Sequence, residues 1–178
     1  MILDFFKTAA NLKKIYRQGW IDKLSLDTPE SVADHSYSMA VISMVISDLG
    51  NYNSEKIIKM VLLHDLAESK IGDYIPEQLS KEKKIELENN AFNEIIKNLP
   101  DLIKSQYLQI WQEYQENNSI ESKLVHQIDK LEMVLQANIY KKDGHSQEKL
   151  ESFFESAKID IIDPKLKELF TEIIKEGE

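Results

Sequence analysis

Apolar residues recur every three to four positions along most of the chain, and hardly any stretch alternates apolar with polar residues. This spacing is typical of helices that bury one face, so it predicts an all-α fold of seven or eight helices without a sheet. Only five glycines and four prolines offer places to turn. We expect one domain over residues 1–178, because no internal repeat or low-complexity linker interrupts the pattern.

Capping and turn residues predict where the first helices begin and end. The first helix is expected over Leu3–Ile15. Thr28 and Pro29 have the residue types of an N-cap and a first helical residue, so they predict the start of a second helix that stops at Gly50. The centre of that helix, MAVISMVI, is apolar on nearly every side, which predicts burial in the middle of the bundle.

The remaining boundaries follow from the same signals. Ser54 is predicted to cap a third helix that continues through KIIKMVLLHDLAE, and Pro100 is expected to end a charged helix. A stripe of leucine and isoleucine marks one long helix, and Asp163 with Pro164 is expected to open the last one. The predicted helices after the third are 80–98, 101–116, one around residues 124–135, and two amphipathic helices at the C-terminal end.

Composition and charge exclude several classes of function. The chain has no cysteine, which excludes a disulfide framework, a thiolate metal site and a cysteine nucleophile. Its formal net charge is −9 without a basic run, so it is a poor candidate for binding nucleic-acid polymers. No apolar stretch reaches the length of about 18 residues that a membrane helix needs. The N-terminal residues do not resemble a secretory signal, and we expect a cytoplasmic location.

The candidate chemistry centres on His64 and Asp65, which close the apolar run MVLLHDLAES. Burying an unpaired imidazole and a carboxylate is costly, so both groups need partners. His35 near the start of the second helix and Asp129 beside the later apolar stripe direct two more such groups inward. One divalent cation would satisfy two imidazole nitrogens and two carboxylates, and manganese, cobalt, iron and zinc all suit such a set. A hydrogen-bonded core histidine is the alternative.

Three further residues are candidates for roles in binding or catalysis. Glu68 follows His64 by four positions, so it shares that face of the helix and could position or deprotonate a water molecule. Arg17 is the sole arginine among 22 basic residues and suits the two-pronged grip on a phosphate. Trp20 could stack on a base or sugar. The structural alternatives are a solvated glutamate, an ion pair and a core tryptophan.

The ordered set His35…His64-Asp65…Asp129 resembles the signature of the HD superfamily of metal-dependent phosphohydrolases. More narrowly, the chain is similar to the single-domain HD 5′-deoxynucleotidases of the bacterial YfbR type and the eukaryotic HD-domain-containing type. Gln18 and Gly19 separate Arg17 from Trp20, as in the eukaryotic pattern. The similarity covers almost the whole chain and includes the blocks RQGW, PESVADHSYSMA, LLHDLAESKIGDYIP, WQEY and HQIDKLEMVLQA.

The resemblance implies an HD-domain helical bundle and assigns a role to each motif residue. The catalytic metal would be bound by His35, His64, Asp65 and Asp129. Arg17 would orient the substrate phosphate, and Glu68 would act on the attacking water. The sugar, a deoxyribose in preference to a ribose, would be bordered by Asp73, Tyr74 and Pro76. A second, harder cation such as magnesium would be held by Glu68, Asp73 and the backbone of Tyr74.

The activity that the resemblance implies is metal-dependent hydrolysis of deoxynucleoside 5′-monophosphates to a deoxynucleoside and phosphate. Manganese or cobalt is the expected cofactor, with iron or zinc as alternatives. The expected partners are the small nucleotide and a second copy of the chain, since broad apolar faces on the C-terminal helices allow a homodimer.

Other functions remain open at this stage. A nucleotide pyrophosphohydrolase or a phosphodiesterase would keep the same metal ligands and differ in the shape of the pocket. An HD-type oxygenase would need extra histidines before the final aspartate, and His126 is the only histidine in that interval. We expect His126 to be a neighbour of the site rather than a ligand. A helical binding module without turnover is the alternative from a different class.

Overall fold

A computed structural model of the protein describes residues 2–75 and 78–177, and helices make up most of this part of the chain. The helices are α1 Ile2–Asn11, α2 Gln18–Leu24, α3 Val32–Gly50, α4 Ser54–His64, α5 Glu68–Ile71, α6 Lys81–Ile96, α7 Asp101–Glu116, α8 Ile120–Lys142, α9 Gln147–Asp160 and α10 Pro164–Glu176. A short 3₁₀ turn, Leu12–Lys14, follows α1. The all-α prediction is confirmed.

The described part of the chain contains ten α-helices instead of the seven or eight predicted, and the short helices α2 and α5 were not among those predicted. The predicted third helix does not run through LLHDLAE as one piece. It ends at His64, where the backbone of Asp65 leaves the helical conformation with φ −106° and ψ 11°. A turn then leads into the four-residue α5. A helix of one turn has no amphipathic period that a sequence pattern can show.

The start of α3 differs from the predicted Thr28 and Pro29. The N-cap is Ser31, whose hydroxyl accepts a hydrogen bond from the Asp34 N–H at 3.2 Å, while the Asp34 carboxylate accepts from the Ser31 N–H at 2.9 Å. This capping box satisfies the first free N–H groups of the helix. The helix cannot begin earlier, because the preceding segment is extended: the Val32 N–H donates to the Ile15 carbonyl at 2.8 Å.

Two other helix starts test the predicted caps. Asn53, rather than Ser54, caps α4, since its side chain accepts from the Lys56 N–H at 3.1 Å. Asp163 caps α10 as predicted, and Pro164 is the first residue of that helix. Both arrangements place a side-chain oxygen on the unpaired N–H groups of a first turn.

The core of the bundle lies where α3, α4 and α8 meet. Met39 of α3, Met60 of α4 and Ile128 of α8 are all at most 1% exposed and belong to one hydrophobic cluster. The lengths and buried faces of these three helices fix the relative positions of every residue that they carry. Those residues include His35, His64 and Asp129.

The centre of α3 is buried on one face only, which corrects the prediction of burial on nearly every side. Ser43 and Ser47 are fully buried, and small side chains at such positions let neighbouring helices approach closely. The opposite face carries Val41, Met44 and Val45, which are 42%, 49% and 49% exposed. Neither α3 nor any other helix within residues 2–75 and 78–177 has the length and apolarity that crossing a bilayer requires.

Candidate metal centre and active site

His35 is the most deeply enclosed polar residue of the site. It lies in the first turn of α3, fixed there by the Ser31 cap, and its side chain is 0% exposed. Its ring nitrogen Nδ1 donates to an Oε2 atom of Glu132 at 2.5 Å. The opposite nitrogen, Nε2, therefore faces the neighbouring cluster and lies 3.2 Å from Oδ1 of Asp129.

His64 presents its ring in the same way from the end of α4. Its Nδ1 lies 2.6 Å from the Val61 carbonyl, which can only accept, so Nδ1 carries the proton. Nε2 then points towards the site and lies 3.0 Å from Oδ2 of Asp65. Because α4 ends at His64, the turn at Asp65 directs its carboxylate back towards the two rings.

Three of the four predicted metal ligands have ligand atoms close enough to one another to bind a single ion. One atom each from His35, His64 and Asp129 lies within 4.8 Å of the others. Asp65 completes the group, with an oxygen 3.9 Å from His35 Nε2. These residues come from α3, the α4–α5 turn and α8, so the fold brings together what the sequence separates by almost 100 positions.

The donor set fits a divalent cation. In the described part of the chain, Nε2 of His35 and Nε2 of His64 are buried without a hydrogen-bond partner. A buried nitrogen of this kind costs free energy unless something binds it. Two imidazole nitrogens and two carboxylates suit manganese, iron, cobalt or zinc, while the harder cations prefer oxygen ligands alone.

The pKa values of the ligand groups are shifted in two directions. Those of the two aspartates are lowered and that of His35 is raised, so His35 has to lose a proton before it binds a metal. Burial raises the pKa of Asp65, but His64 and Arg17 more than offset this effect and hold the pKa well below its ordinary value. The pKa of Asp129 is lowered in the same way by His35 and Arg17, against burial. Burial lowers the pKa of His35, but Asp129 and Glu132 outweigh it and raise the value to about 9.

Arg17 reaches the cluster from the segment between α1 and α2. An antiparallel backbone bridge holds this segment, with the Arg17 N–H donating to the Glu30 carbonyl at 3.1 Å. Nη1 lies 3.5 Å from Asp65 and Nη2 lies 4.0 Å from Asp129. Both distances exceed those of short charge-assisted hydrogen bonds, so the guanidinium balances the two carboxylates without being tightly held by either.

Glu68 lines the same cleft as Arg17, at the start of α5. Its side chain is 2% exposed, and Oε2 has no hydrogen-bond partner among the described residues. Burial raises the pKa of Glu68 well above its ordinary value, and repulsion by Asp65 adds to the effect. Lys84 of α6 offsets part of this, with Nζ 3.7 Å from Oε1. A further positive charge in the cleft would favour the ionised carboxylate.

The loop after α5 contains the remaining predicted substrate contacts. Asp73 accepts a hydrogen bond from the Gln18 N–H at 2.8 Å, directly beside Arg17. The Tyr74 carbonyl accepts from Lys84 Nζ at 3.0 Å. Pro76 lies outside the described residues. The loop is thus joined to both sides of the cleft by polar contacts.

The position of Trp20 does not support the predicted stacking on a base or sugar. The indole is 2% exposed and packs against Tyr140 and Phe153, with ring centroids 5.2 and 4.3 Å away. Its N–H donates to Oε1 of Glu30 at 2.7 Å. The ring is enclosed because α2 packs against α9 and α8, a contact that the sequence pattern does not reveal.

The cleft that contains the cluster has a volume of about 440 Å³. Several of the residues that line it were not predicted from the sequence. The lining beyond the predicted residues consists of Lys81, Lys84, Ile85, Glu88, Tyr114, Gln115, Asn117 and His126. His126 stacks on Tyr114 with centroids 4.1 Å apart, and its Nε2 is 3.0 Å from the Tyr114 carbonyl. This contact agrees with its expected place as a neighbour of the site.

Two glutamates near His35, the buried Glu132 and the half-buried Glu30, were also missed. Glu132 is 2% exposed and contacts His35, while Glu30 accepts from Trp20. Burial and the nearby Glu132 raise the pKa of Glu30 to about 7. The one available signal was the spacing of Glu132, which follows Asp129 by three residues on the same helix and interrupts an apolar stripe.

Comparisons with known proteins agree with this architecture. The family model described as an HD domain matches residues 9–169. The protein named 5′-deoxynucleotidase HDDC2 in Dictyostelium discoideum is 40% identical over an alignment of 178 positions, which covers 94% of this chain and 93% of that protein. The human protein of the same name is 35% identical over 173 residues, covering 97% and 84%.

Solved structures show the same fold. A conserved hypothetical protein from Pyrococcus furiosus superposes with a TM-score of 0.79 at 30% identity, covering 97% of this chain and 99% of that one. A predicted metal-dependent phosphohydrolase from Magnetospirillum magnetotacticum, at 20% identity and a TM-score of 0.73, shares the fold. The family model spans most of the chain, and the Dictyostelium and human relatives match it over 93% and 84% of their own lengths. The chain therefore belongs to the HD-domain family.

Proposed function

We propose that this protein is a metal-dependent 5′-deoxynucleotidase, which hydrolyses deoxynucleoside 5′-monophosphates to a deoxynucleoside and phosphate. The observation that carries the proposal is the pair of buried Nε2 atoms of His35 and His64, which have no hydrogen-bond partner and lie beside the carboxylates of Asp129 and Asp65. The names of the Dictyostelium and human relatives support the choice of substrate.

The cation would be held by His35, His64, Asp65 and Asp129. Manganese or cobalt is the preferred ion, with iron or zinc as alternatives, because the donor set mixes nitrogen with oxygen. When bound, such an ion lowers the pKa of coordinated water and neutralises charge on phosphoryl oxygens. The chain itself supplies the orientation, since each imidazole is fixed by a hydrogen bond on the nitrogen that faces away from the cluster.

Arg17 is proposed to bind and orient the substrate phosphate. Its guanidinium spans the gap between Asp65 and Asp129 with contacts of 3.5 and 4.0 Å, so its donors can turn to a phosphate placed between them. A planar guanidinium presents a rigid fork of donors that matches two phosphoryl oxygens, and an ammonium lacks this fork. It would stabilise the charge that builds on those oxygens during bond cleavage.

Glu68 is proposed to orient or deprotonate the attacking water. Its unpartnered Oε2 lines the same cleft as His64 and Asp65, and α5 holds it without exposing it to solvent. The proposed sugar contacts are Asp73, Tyr74 and Pro76. A carboxylate placed near the sugar would favour deoxyribose if it leaves no room for the 2′-hydroxyl.

One cation with Lys84 is the simplest arrangement supported by these contacts. The carboxylate of Glu68 and the carbonyl of Tyr74, both expected to ligate a second magnesium ion, are the groups that Lys84 Nζ contacts at 3.7 and 3.0 Å. A second cation would have to displace this ammonium.

The cytoplasmic location expected from the sequence stays a prediction.

The first prediction tests the reaction. Chelated protein is supplied with manganese, cobalt, magnesium or zinc and assayed for phosphate release from deoxy- and ribonucleoside 5′-monophosphates. We expect release from the deoxy set, restored by a transition metal and abolished by His64→Ala, which removes a ligand. His145→Ala, in the loop between α8 and α9, is the matched control and should retain activity.

Two outcomes of this assay would redirect the proposal. With nucleoside di- and triphosphates and cyclic nucleotides added to the panel, their hydrolysis to nucleoside monophosphates without phosphate release from any monophosphate, and with the same dependence on His64, would favour the pyrophosphohydrolase or phosphodiesterase alternative. Failure both to bind a transition metal and to release phosphate from any of these compounds would favour the binding module.

The second prediction concerns the proton on His35. Because its pKa is raised to about 9, the ring is protonated at pH 7 and protons compete with the cation. Binding should therefore release at least one proton per ion, and the affinity should weaken about tenfold for each unit of pH lowered between 8 and 6. Calorimetry of manganese binding in two buffers with different ionisation enthalpies measures the release. A heat that does not depend on the buffer would contradict the prediction.

The third prediction isolates the geometry of Arg17. The variant Arg17→Lys keeps the charge but loses the two-pronged grip, so kcat/KM should fall about 10²-fold or more while manganese affinity changes little. Lys23→Arg, an exposed residue of α2, makes the reverse exchange outside the cleft and serves as the control. Unchanged turnover in Arg17→Lys would assign the residue to a structural ion pair.

A homodimer is proposed from the exposed face of α3 rather than from the C-terminal helices. The apolar residues Leu166 and Phe170 of α10 are 0% and 9% exposed, because they pack into the core and are not available to a partner. In contrast, Tyr37, Val41 and Val45 follow one another at helical spacing along α3 and are 73%, 42% and 49% exposed. An apolar stripe of this kind is typical of a surface covered by another chain.

The fourth prediction tests this assembly. Light scattering after size exclusion should give the mass of two 20.7 kDa chains for the native protein and of one chain for Val45→Glu. Ile159→Glu changes an equally apolar residue of α9, 74% exposed and outside the α3 stripe, and should leave the dimer intact. A native protein that has the mass of one chain even at high concentration would contradict the proposed homodimer.

A further inference from the structure

Glu132 lies directly behind His35, on the side of the imidazole that faces away from the cleft. It occupies the middle of α8, one helical turn after Asp129, and is 2% exposed. One of its carboxylate oxygens accepts the hydrogen bond from Nδ1 of His35 at 2.5 Å. This is a short contact between a buried carboxylate and a buried ring, and the proposed reaction makes no direct use of it.

We propose that Glu132 is the positioning residue of the metal centre, which holds the His35 imidazole so that Nε2 faces the ligand cluster. The inference rests on the proposed function only in that it assumes a cation bound by His35. A carboxylate on Nδ1 keeps the proton on that nitrogen, orients the ring and makes Nε2 a better ligand. Without it, the ring of His35 could turn about its side-chain bonds and lose the approach to Asp129.

The geometry of α8 explains why a glutamate does this work. Residues three apart on a helix lie on the same face, so Asp129 and Glu132 reach the imidazole from one surface. Oδ1 of Asp129 lies 3.2 Å from Nε2, while Oε2 of Glu132 lies 2.5 Å from Nδ1. Both carboxylates therefore approach the ring from one helix, and the hydrogen bond of Glu132 to Nδ1 fixes the ring that α3 supplies.

A second layer supports Glu132. Glu30 offers an oxygen within 4.8 Å of both a ring nitrogen of His35 and the Glu132 carboxylate. The Trp20 N–H donates to Glu30 at 2.7 Å, and the Glu30 N–H donates to the Tyr140 hydroxyl at 3.0 Å. The buried tryptophan thus contributes to the site through Glu30, since it anchors the carboxylate beside the positioning residue.

Glu30, His35 and Glu132 have ligand atoms at a spacing that would also suit a separate cation site. The hydrogen bond between His35 and Glu132 argues against that interpretation, since it already uses the nitrogen that such a cation would need. The number of ions bound distinguishes the two interpretations.

The test compares Glu132→Gln with the native protein in the absence of substrate. Glutamine has nearly the same volume but no charge, so the manganese affinity measured by competition with a chelator should fall about 10- to 100-fold while the ion count stays at one. In cation-free samples, ¹H–¹⁵N correlations of the histidine rings should show a far-downfield Nδ1–H signal of His35 that moves upfield in the variant. Glu121→Gln, on the same helix but paired with Lys56, is the matched control and should behave as the native protein.

Each other result has a defined meaning. Circular dichroism first verifies that both variants keep the native fold. A manganese affinity of Glu132→Gln within twofold of that of Glu121→Gln would then overturn the inference and leave the proposed function intact. Binding of two ions by the native protein, with one lost in Glu30→Gln, would overturn it in favour of a separate cation site. No manganese binding by the native protein would overturn both proposals. Reduced kcat at saturating manganese with unchanged KM would support the positioning role.

Discussion

Repulsion among buried carboxylates is the constraint that organises this end of the bundle. Asp65, Asp129 and Glu68 line one cleft, and Glu132 lies just behind it. Carboxylates so placed stay ionised only beside positive charge, since burial alone favours the protonated form. Arg17 and Lys84 provide some of that charge, and the lowered pKa values of Asp65 and Asp129 reflect the neighbouring His64 and His35 first and Arg17 after them. The raised pKa of Glu68 indicates that the compensation is incomplete without a cation.

The pattern of the sequence predicts the helices that build this arrangement, because their periodicity is set by local spacing. The long helices α3, α7 and α8 were predicted from apolar recurrence, and Asp163 with Pro164 from residue preferences at helix starts. Thr28 was favoured as a cap on the same local grounds. It does not cap a helix because residues 30–32 pair with residues 15–17, a contact between distant segments that no local preference can anticipate.

The same limit applies to the site. His35, His64, Asp65 and Asp129 could be identified because each places a polar group within or beside an apolar pattern, where burial demands a partner. Whether a side chain faces the cleft or the opposite surface depends on helix packing. Trp20 therefore lies in a small core with Phe153 instead of the cleft, and the exposed face of α3 could not be distinguished from its buried face.

The single arginine of the chain illustrates how the fold restricts the choice of residue. Arg17 has to offset two carboxylates on different helices while it remains able to bind an anion. A lysine ammonium is a compact point charge without a fixed fork of donors, and Lys84 uses it between Glu68 at 3.7 Å and Glu88 at 3.6 Å. A guanidinium spreads its charge over a plane, contacts Asp65 and Asp129 at once, and keeps donors for a third group. The position requires a side chain whose positive charge contacts two carboxylates and still binds an anion. This requirement explains why a chain that otherwise uses lysine carries an arginine here.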